Sequence, residues 1–179
     1  MYNDQDFIKM KNCNMQNHLP ILRPIHMDDF QVVTNWSQDK AFCQANDWEL
    51  NRTPDELYNW WKKCVENSST DFIRIGIELN DTLIGYADLA CINGSEAEVG
   101  IAIGDSSLWG QGIGHAAIVQ LIDYAKSIGI TSYLAETHLT NPRAQKLLEG
   151  IGFKELSRDG FELYKGKITP LIQYNLFVY

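Results

Sequence analysis

The run Glu98-Val-Gly-Ile-Ala-Ile-Gly-Asp-Ser-Ser-Leu-Trp-Gly-Gln-Gly-Ile-Gly114 constrains this chain more than any other stretch. An apolar strand pattern leads into glycines at 110, 112 and 114, and a helical pattern begins directly behind them. The first N–H groups of a helix lack intrahelical partners and carry the positive end of its dipole. Glycine lets a ligand approach such a backbone closely. A strand, glycine turn and helix in this order can therefore hold a diphosphate on the main chain of Gln111 to His115, with no lysine required. The same glycines could also serve only to start the helix. Gly112-x-Gly114-x-x-Ala117 even satisfies the dinucleotide fingerprint. Against that reading, Asp105 to Leu108 intervene between strand and glycines, and the strand belongs to an antiparallel meander. No lysine and Ser/Thr pair follows the glycines, which excludes a P-loop.

Elements on either side follow from local signals. Leu19 to Arg23 predicts a short strand, and Asp28 or Asp29 can cap a helix to about Trp36. Ser37 to Asn51 shows no clean periodicity. Thr53, Pro54 and Glu56 make a capping box with proline at the first helical position. Behind them Leu57, Trp60, Trp61, Cys64 and Val65 recur at helical spacing as one buried face. Phe72 to Leu79, Leu83 to Ile92 and Glu96 to Ile103 predict an antiparallel meander, turning at Asn80-Asp81 and Asn93-Gly94. The helix behind the glycines runs to about Ile128 and stops at Gly129. Thr131 to Thr137 is the next strand. Asn141-Pro142 opens a helix with Ala144, Leu147, Leu148 and Ile151 inward, ended by Gly152. Phe153 to Tyr179 holds two or three strands with a turn at Asp159-Gly160. A right-handed crossover makes Glu96–Ile103 and Thr131–Thr137 parallel neighbours. The fold class is α+β, a mixed, mostly antiparallel central sheet with helices on both faces.

The chain's 179 residues suit one domain, expected over 18–179 behind a flexible N-terminal arm at 1–17. A formal charge of −8 argues against nucleic acid and fits a cationic substrate, although such charge most often serves only solubility. Cys13, Cys43, Cys64 and Cys91 are scattered, which suits reduced thiols in a cytoplasmic protein. No metal site is expected. No apolar run approaches the roughly 20 residues that span a bilayer, so no membrane partner is expected either.

The glycine run resembles the acetyl-coenzyme A motif of the GNAT superfamily, Gln/Arg-x-x-Gly-x-Gly/Ala. Gly112 and Gly114 match, while Trp109 stands at the leading position. Tryptophan there is typical of the branch related to ribosomal-protein-alanine and spermidine acetyltransferases. Asn141-Pro-Arg-Ala-Gln-Lys-Leu-Leu-Glu-Gly-Ile-Gly-Phe153 is similar to the Asn…Gly-Phe helix of these enzymes, and Leu22-Arg23-Pro24 before Asp28 or Asp29 resembles their start. The likeness spans about Leu19 to Tyr179.

That resemblance implies acetyl-CoA as co-substrate, bound by Trp109, Gly110, Gln111, Gly112, Ile113, Gly114 and His115, with Asn141 and Arg143 from the following helix. The strand edge at Ile101, Ala102 and Ile103 would pair with the pantetheine arm, and a backbone N–H near Ile101 or Ala102 would face the thioester oxygen. Asn141 serves equally well as a plain N-cap. An alkyl amine is mostly protonated at neutral pH, so the site must take a proton. Glu98 is the favoured base; Glu96 shares its face, and Glu136 is a second candidate. Each of these also reads as a solvated strand residue. The tyrosine that many members use to protonate the thiolate is replaced by Leu148. Asp47, Trp48, Glu49 and Trp60 could form an acidic, aromatic substrate wall, although Trp60 and Trp61 also suit a core. His18, His26, His115 and His138 lack ligand spacing, with His115 placed to touch phosphate. The expected function is transfer of an acetyl group to a primary amine: a polyamine, an aminoglycoside-like molecule or a protein N-terminus. Alternatives are a non-catalytic acyl-CoA-binding module and an NAD-dependent oxidoreductase. A homodimer is possible.

Overall fold

A computed structural model describes residues 19–164 and 166–178. The arm expected at 1–17, with Cys13, and also His18 lie outside the described residues. Among the described residues eight strands form one sheet: β1 (Ile21–Arg23), β2 (Ile73–Leu79), β3 (Thr82–Asn93), β4 (Glu96–Ile103), β5 (Ser132–His138), β6 (Lys154–Ser157), β7 (Phe161–Tyr164) and β8 (Lys167–Phe177). Their spatial order is β1-β2-β3-β4-β5-β8-β6, with β7 paired only to β8. Every pairing among the described residues is antiparallel except β4–β5. Five α-helices among the described residues accompany it: α1 (Phe30–Trp36), α2 (Lys40–Ala45), α3 (Pro54–Val65), α4 (Ile113–Ser127) and α5 (Pro142–Ile151).

Two cores lie on opposite faces of the sheet. The first joins Ala97, Val99, Tyr133, Ala135 and Ile172 of the strands to Ile113, Ala117, Ile118, Leu121 and Leu148 of α4 and α5. The second joins Leu83, Tyr86 and Ala102 to Val33, Trp36, Phe42 and Trp61 of the early helices. Helices thus cover both faces, as the alternation of apolar residues demands.

Local signals explain most boundaries. Thr53 accepts from Glu56 N while Glu56 accepts in return from Thr53 N at 3.0 Å, so the capping box forms and starts α3. Gly129 and Gly152, both at positive φ, stop α4 and α5. Three expectations need correction. Asp29 makes no side-chain bond as cap of α1; its carboxylate instead accepts from His26 N at 2.9 Å and pairs with both Nη atoms of Arg23. The half-buried Arg23 also reaches Glu78 at 2.5 Å, and this demand outcompetes the cap. The turn placed at Asn93-Gly94 sits one residue later. Asn93 still pairs with Glu96, and Gly94 takes a positive φ at the first loop position, where a hairpin needs it. Finally, Ser37 to Asn51 contains α2, capped by Asp39, which its polar composition hid.

The last two strands project as a ribbon. Its Tyr164 hydroxyl donates to the Gln44 carbonyl of α2, so a hairpin of the β5–β8 half touches a helix of the β1–β4 half. Phe161, Leu163 and Ile168 lie on its other face, more than 70% exposed.

Leu121 packs α4 into the first core with no exposed surface. Leu121→Ala should cost about 3 kcal/mol through lost burial and a residual cavity. Urea denaturation checks this as a lowered midpoint with an unchanged slope.

Candidate functional site

The two central strands run together only briefly. β4 and β5 pair at Glu96↔Ser132, Ala97↔Tyr133 and Glu98↔Leu134, yet β4 continues to Ile103 and β5 to His138. Beyond that vertex they part, and a wedge opens between them. On the other side β4 stays paired with β3 up to Gly85↔Ile103. Gly104 N donates to Ile84 O at 2.8 Å, which fixes the phase of that antiparallel ladder. By its two-residue alternation Gly100 and Ala102 turn their backbone groups to β3, while Ile101 and Ile103 turn theirs into the wedge. Of the two amides considered for an oxyanion, Ile101 N–H is therefore the one that faces the opening.

The turn before α4 supplies the wedge's far wall. Gly110 and Gly112 both take positive φ. That left-handed conformation costs other residues about 1 kcal/mol or more. No side chain caps α4 at Gly112, so its first amides lack a side-chain partner. A cleft of about 590 Å³ lies here. It is lined by Ile101, Ala102, Ile103, Trp109, Gly110, Gly112, Ile113, Gly114, His115, Asn141 and Arg143, eleven of the twelve residues assigned to a cofactor from sequence. Gln111 is not in the lining; its side chain donates to Ser107 O at 3.0 Å and braces the turn. Trp109 is pinned twice, by Nε1 donating to Ile103 O at 2.9 Å and by the Arg143 guanidinium 3.6 Å from its ring centroid. The second contact is a cation held over an aromatic face. Asn141 Oδ1 accepts from Ala144 N at 3.2 Å as the α5 cap. Capping through the oxygen leaves the Asn141 amide nitrogen for another partner.

Sequence reasoning missed Ala45 and Asn46 at the end of α2, and Lys146 on α5. The first two come close only through tertiary folding. Lys146 was findable, since it follows Arg143 by three residues and so shares its helical face. Asp39 was missed as well. Its Oδ1 accepts from Phe42 N at 3.0 Å, capping α2, and its Oδ2 accepts from Ser106 N at 2.8 Å. One carboxylate thereby ties α2 to the segment that enters the glycine turn. Burial opposes its charge, but these backbone donors outweigh burial and hold its carboxyl below the usual range.

The carboxylates assigned to proton transfer lie near the vertex. Ala97 and Val99 point into the first core, so Glu96 and Glu98 point to the opposite face. The same alternation puts Glu136 there, and Ser132 Oγ donating to Glu96 at 3.1 Å joins the two strands on that face. Glu98 is half-buried, and burial first, then the charge of Glu136, raises its pKa. Glu136 accepts from Gln173 Nε2 at 2.5 Å. Neither carboxylate lines the cleft. Leu148 is buried in the first core.

The proposed substrate wall is divided. Asp47 and Glu49 are exposed. Trp48 stacks edge-on against Phe42 at 5.0 Å and Trp60 at 4.8 Å, and both tryptophans belong to the aromatic layer over the second core. The chain's own cations already sit on these rings: Arg52 lies 5.4 Å from Trp48, and Arg74 lies 5.4 Å from Trp60 and 4.0 Å from Tyr86. Arg74 is fixed by a bidentate pair with Asp88, at 2.8 Å from Nε and 2.7 Å from Nη2. His26 offers its carbonyl to Trp61 Nε1, and His138 bonds Glu162 at 3.0 Å. Among the described residues no cluster of His, Cys, Asp and Glu could hold a metal ion, and no helix is long and apolar enough to cross a membrane.

The model of the acetyltransferase (GNAT) domain family matches residues 21–154. An uncharacterized protein of Methanocaldococcus jannaschii is 27% identical over 143 residues, 77% of this chain and 28% of that protein, so the chain matches only a little over a quarter of its relative's length. Among solved structures, spermidine N-acetyltransferase from Vibrio cholerae in complex with CoA and spermine aligns with TM-score 0.74 and 22% identity, over 90% of this chain and 96% of that one. The Salmonella typhimurium acetyl transferase that modifies the N-terminal serine of a 50S ribosomal subunit protein aligns with TM-score 0.77 and 15% identity, over 91% and 97%. The microcin C7 self immunity acetyltransferase in complex with acetyl-CoA and AMP gives 0.78 and 16%, over 90% and 94%. At these identities the likeness is one of fold.

Asp39→Ala should lower stability at neutral pH by about 1 kcal/mol through the lost cap. Because folding depresses this carboxyl, its contribution is complete above the unfolded value of about 3.9 and disappears as pH falls through the folded one. Thermal melts should show wild type and variant converging below about pH 4.

Proposed function

The chain belongs to the acetyltransferase (GNAT) domain family, and from that membership we propose that it transfers an acetyl group from acetyl-CoA to a primary amine by direct attack in a ternary complex. One observation carries the proposal. The wedge joins a free strand edge at Ile101, the unpartnered amides of α4, and a lining that, among the described residues, holds Arg143 and Lys146 but no aspartate or glutamate. In a chain of formal charge −8, that segregation suits a polyanion.

In this reading the diphosphate lies on the amides behind Gly112, and Asn141 and the edge at Val99 to Ile103 hold the pantetheine arm as an added strand. Ile101 N–H points to the thioester oxygen and stabilises the charge that develops there, a contribution of about 3 kcal/mol for one fixed donor. The amine nitrogen attacks the carbonyl carbon, the C–S bond breaks, and the sulfur leaves as thiolate. The proton shed by nitrogen goes to Glu98. Three residues of strand separate Glu98 from Ile101, about 10 Å, so that transfer runs through water. Its raised pKa makes Glu98 a stronger base than an exposed carboxylate, and Glu136 is the carboxylate that tunes it. With Leu148 buried where a tyrosine would stand, the thiolate takes its proton from solvent.

An amine acceptor agrees with what the neighbouring structures' proteins act on, a polyamine in one and a protein N-terminus in another. The acidic face around Glu98 and Glu136 favours a cationic acceptor, whereas Trp48 and Trp60 act through packing, since arginines of the chain occupy their faces.

Thiol release from acetyl-CoA across a panel of polyamines, aminoglycosides and peptides tests the activity; no turnover with any amine would leave only a binding module. Gly112→Leu forces a branched side chain into the left-handed region and puts it in open space on the cleft wall. It should remove coenzyme binding in calorimetry while the folding transition persists. Glu98→Gln should lower kcat/KM by 10²-fold or more, the general-base range of about 10²–10⁴. The wild-type rate should fall on the acid side as Glu98 protonates, and that limb should vanish in the variant. A retained limb assigns the base elsewhere.

A further inference from the structure

The cleft holds more positive charge than a diphosphate needs. The amides behind Gly112 suffice for that group, yet Arg143 and Lys146 also reach the lining from α5. These cations are not equivalent. Arg143 is committed to the Trp109 ring at 3.6 Å, beside the glycine turn. Lys146 stands one turn further along the same face, and Gly150 follows it by four residues. A Cβ placed on Gly150 would lie 4.0 Å from the His115 ring, so His115 of α4 sits beside this part of α5. Lys146 of α5 and His115 in the first turn of α4 thus both line the cleft, with Lys146 one turn of α5 beyond Arg143.

No described residue neutralises Lys146. Among the described residues it has no ion pair and no side-chain hydrogen bond. The one carboxylate within a helical turn, Glu149, instead receives the Tyr174 hydroxyl at 3.5 Å, and the residue four before Lys146 is Pro142. An unpaired lysine on a cleft wall without carboxylates is suited to an anion that is not the diphosphate.

We infer that Lys146, with His115 beside it, forms a subsite for the phosphate monoester on the ribose of the cofactor's adenosine, and so distinguishes coenzyme A from its dephospho form. The inference rests on the coenzyme reading of the cleft and adds a specificity-determining residue to it. A monoester carries close to two negative charges at neutral pH, and a lysine ammonium meets it as a point charge. Arg143 remains at the diphosphate end.

Calorimetric titration of wild type, Lys146→Gln and His115→Gln with coenzyme A and with dephospho-coenzyme A, at one fixed low salt concentration, decides the matter. Wild type should bind coenzyme A about tenfold more tightly than the dephospho form, the scale of one charge-assisted contact. Lys146→Gln should erase that preference by weakening coenzyme A alone, and His115→Gln should reduce it. Melting temperatures close to wild type show that each substitution leaves the fold intact. Equal wild-type affinity for the two ligands overturns the subsite while leaving the coenzyme reading in place. Equal weakening of both by Lys146→Gln also overturns it, because the lysine would then serve the diphosphate. Binding of neither ligand to wild type overturns the coenzyme reading and the subsite together.

Discussion

Everything about the site descends from the point where β4 and β5 stop exchanging hydrogen bonds, after Glu98 and Leu134. A strand in the middle of a sheet normally has both edges satisfied. Here the second half of β4 keeps one edge paired to β3 and presents the other, through Ile101 and Ile103, to an opening in the protein. Unpaired backbone groups that face a partly buried space are costly unless something bonds them. The chain meets part of this need itself by sending the Trp109 indole to the Ile103 carbonyl. The remainder is available to an extended ligand with amides of its own.

The parting of the strands also explains why the turn before α4 is so long. A tight strand-to-helix turn would carry α4 directly over β4 and close the opening. Residues Gly104 to Gly112, with a short 3₁₀ segment at Ser106–Leu108, swing the start of α4 to the far side of the gap. Asp39 holds that detour in place through Ser106. The glycine turn is therefore braced by a residue almost seventy positions earlier, through one carboxylate that also starts α2.

Local signals were legible where the physics is local. Thr53, Pro54 and Glu56 start α3 as their order requires, Gly129 and Gly152 end their helices, and the glycines at 110 and 112 adopt the backbone conformation that makes them necessary. The parallel neighbours β4 and β5 followed from crossover handedness. Less was legible where one residue serves two elements. Asp29 reads as a helix cap, but the half-buried guanidinium of Arg23 claims it. The six residues of α2 carry too little periodicity to show, and they are held by Phe42, Cys43 and the Asp39 cap in tertiary context. Trp60 could be read as binding surface or core, and the position of Arg74 over it depends on a strand fourteen residues away. In the cleft, residues within one motif were found together, whereas Ala45 and Asn46 arrive from a segment with no motif at all.

The contact between Tyr164 and the Gln44 carbonyl bears on how firmly the opening is held. The two leaves of the sheet meet at the vertex and again at this outlying latch, one fastening on each side of the gap. A single hydrogen bond of this kind contributes about 1 kcal/mol, so it biases the spacing of the leaves without locking it. That share of the ordering is complete when the chain folds, and a visitor has correspondingly less to supply.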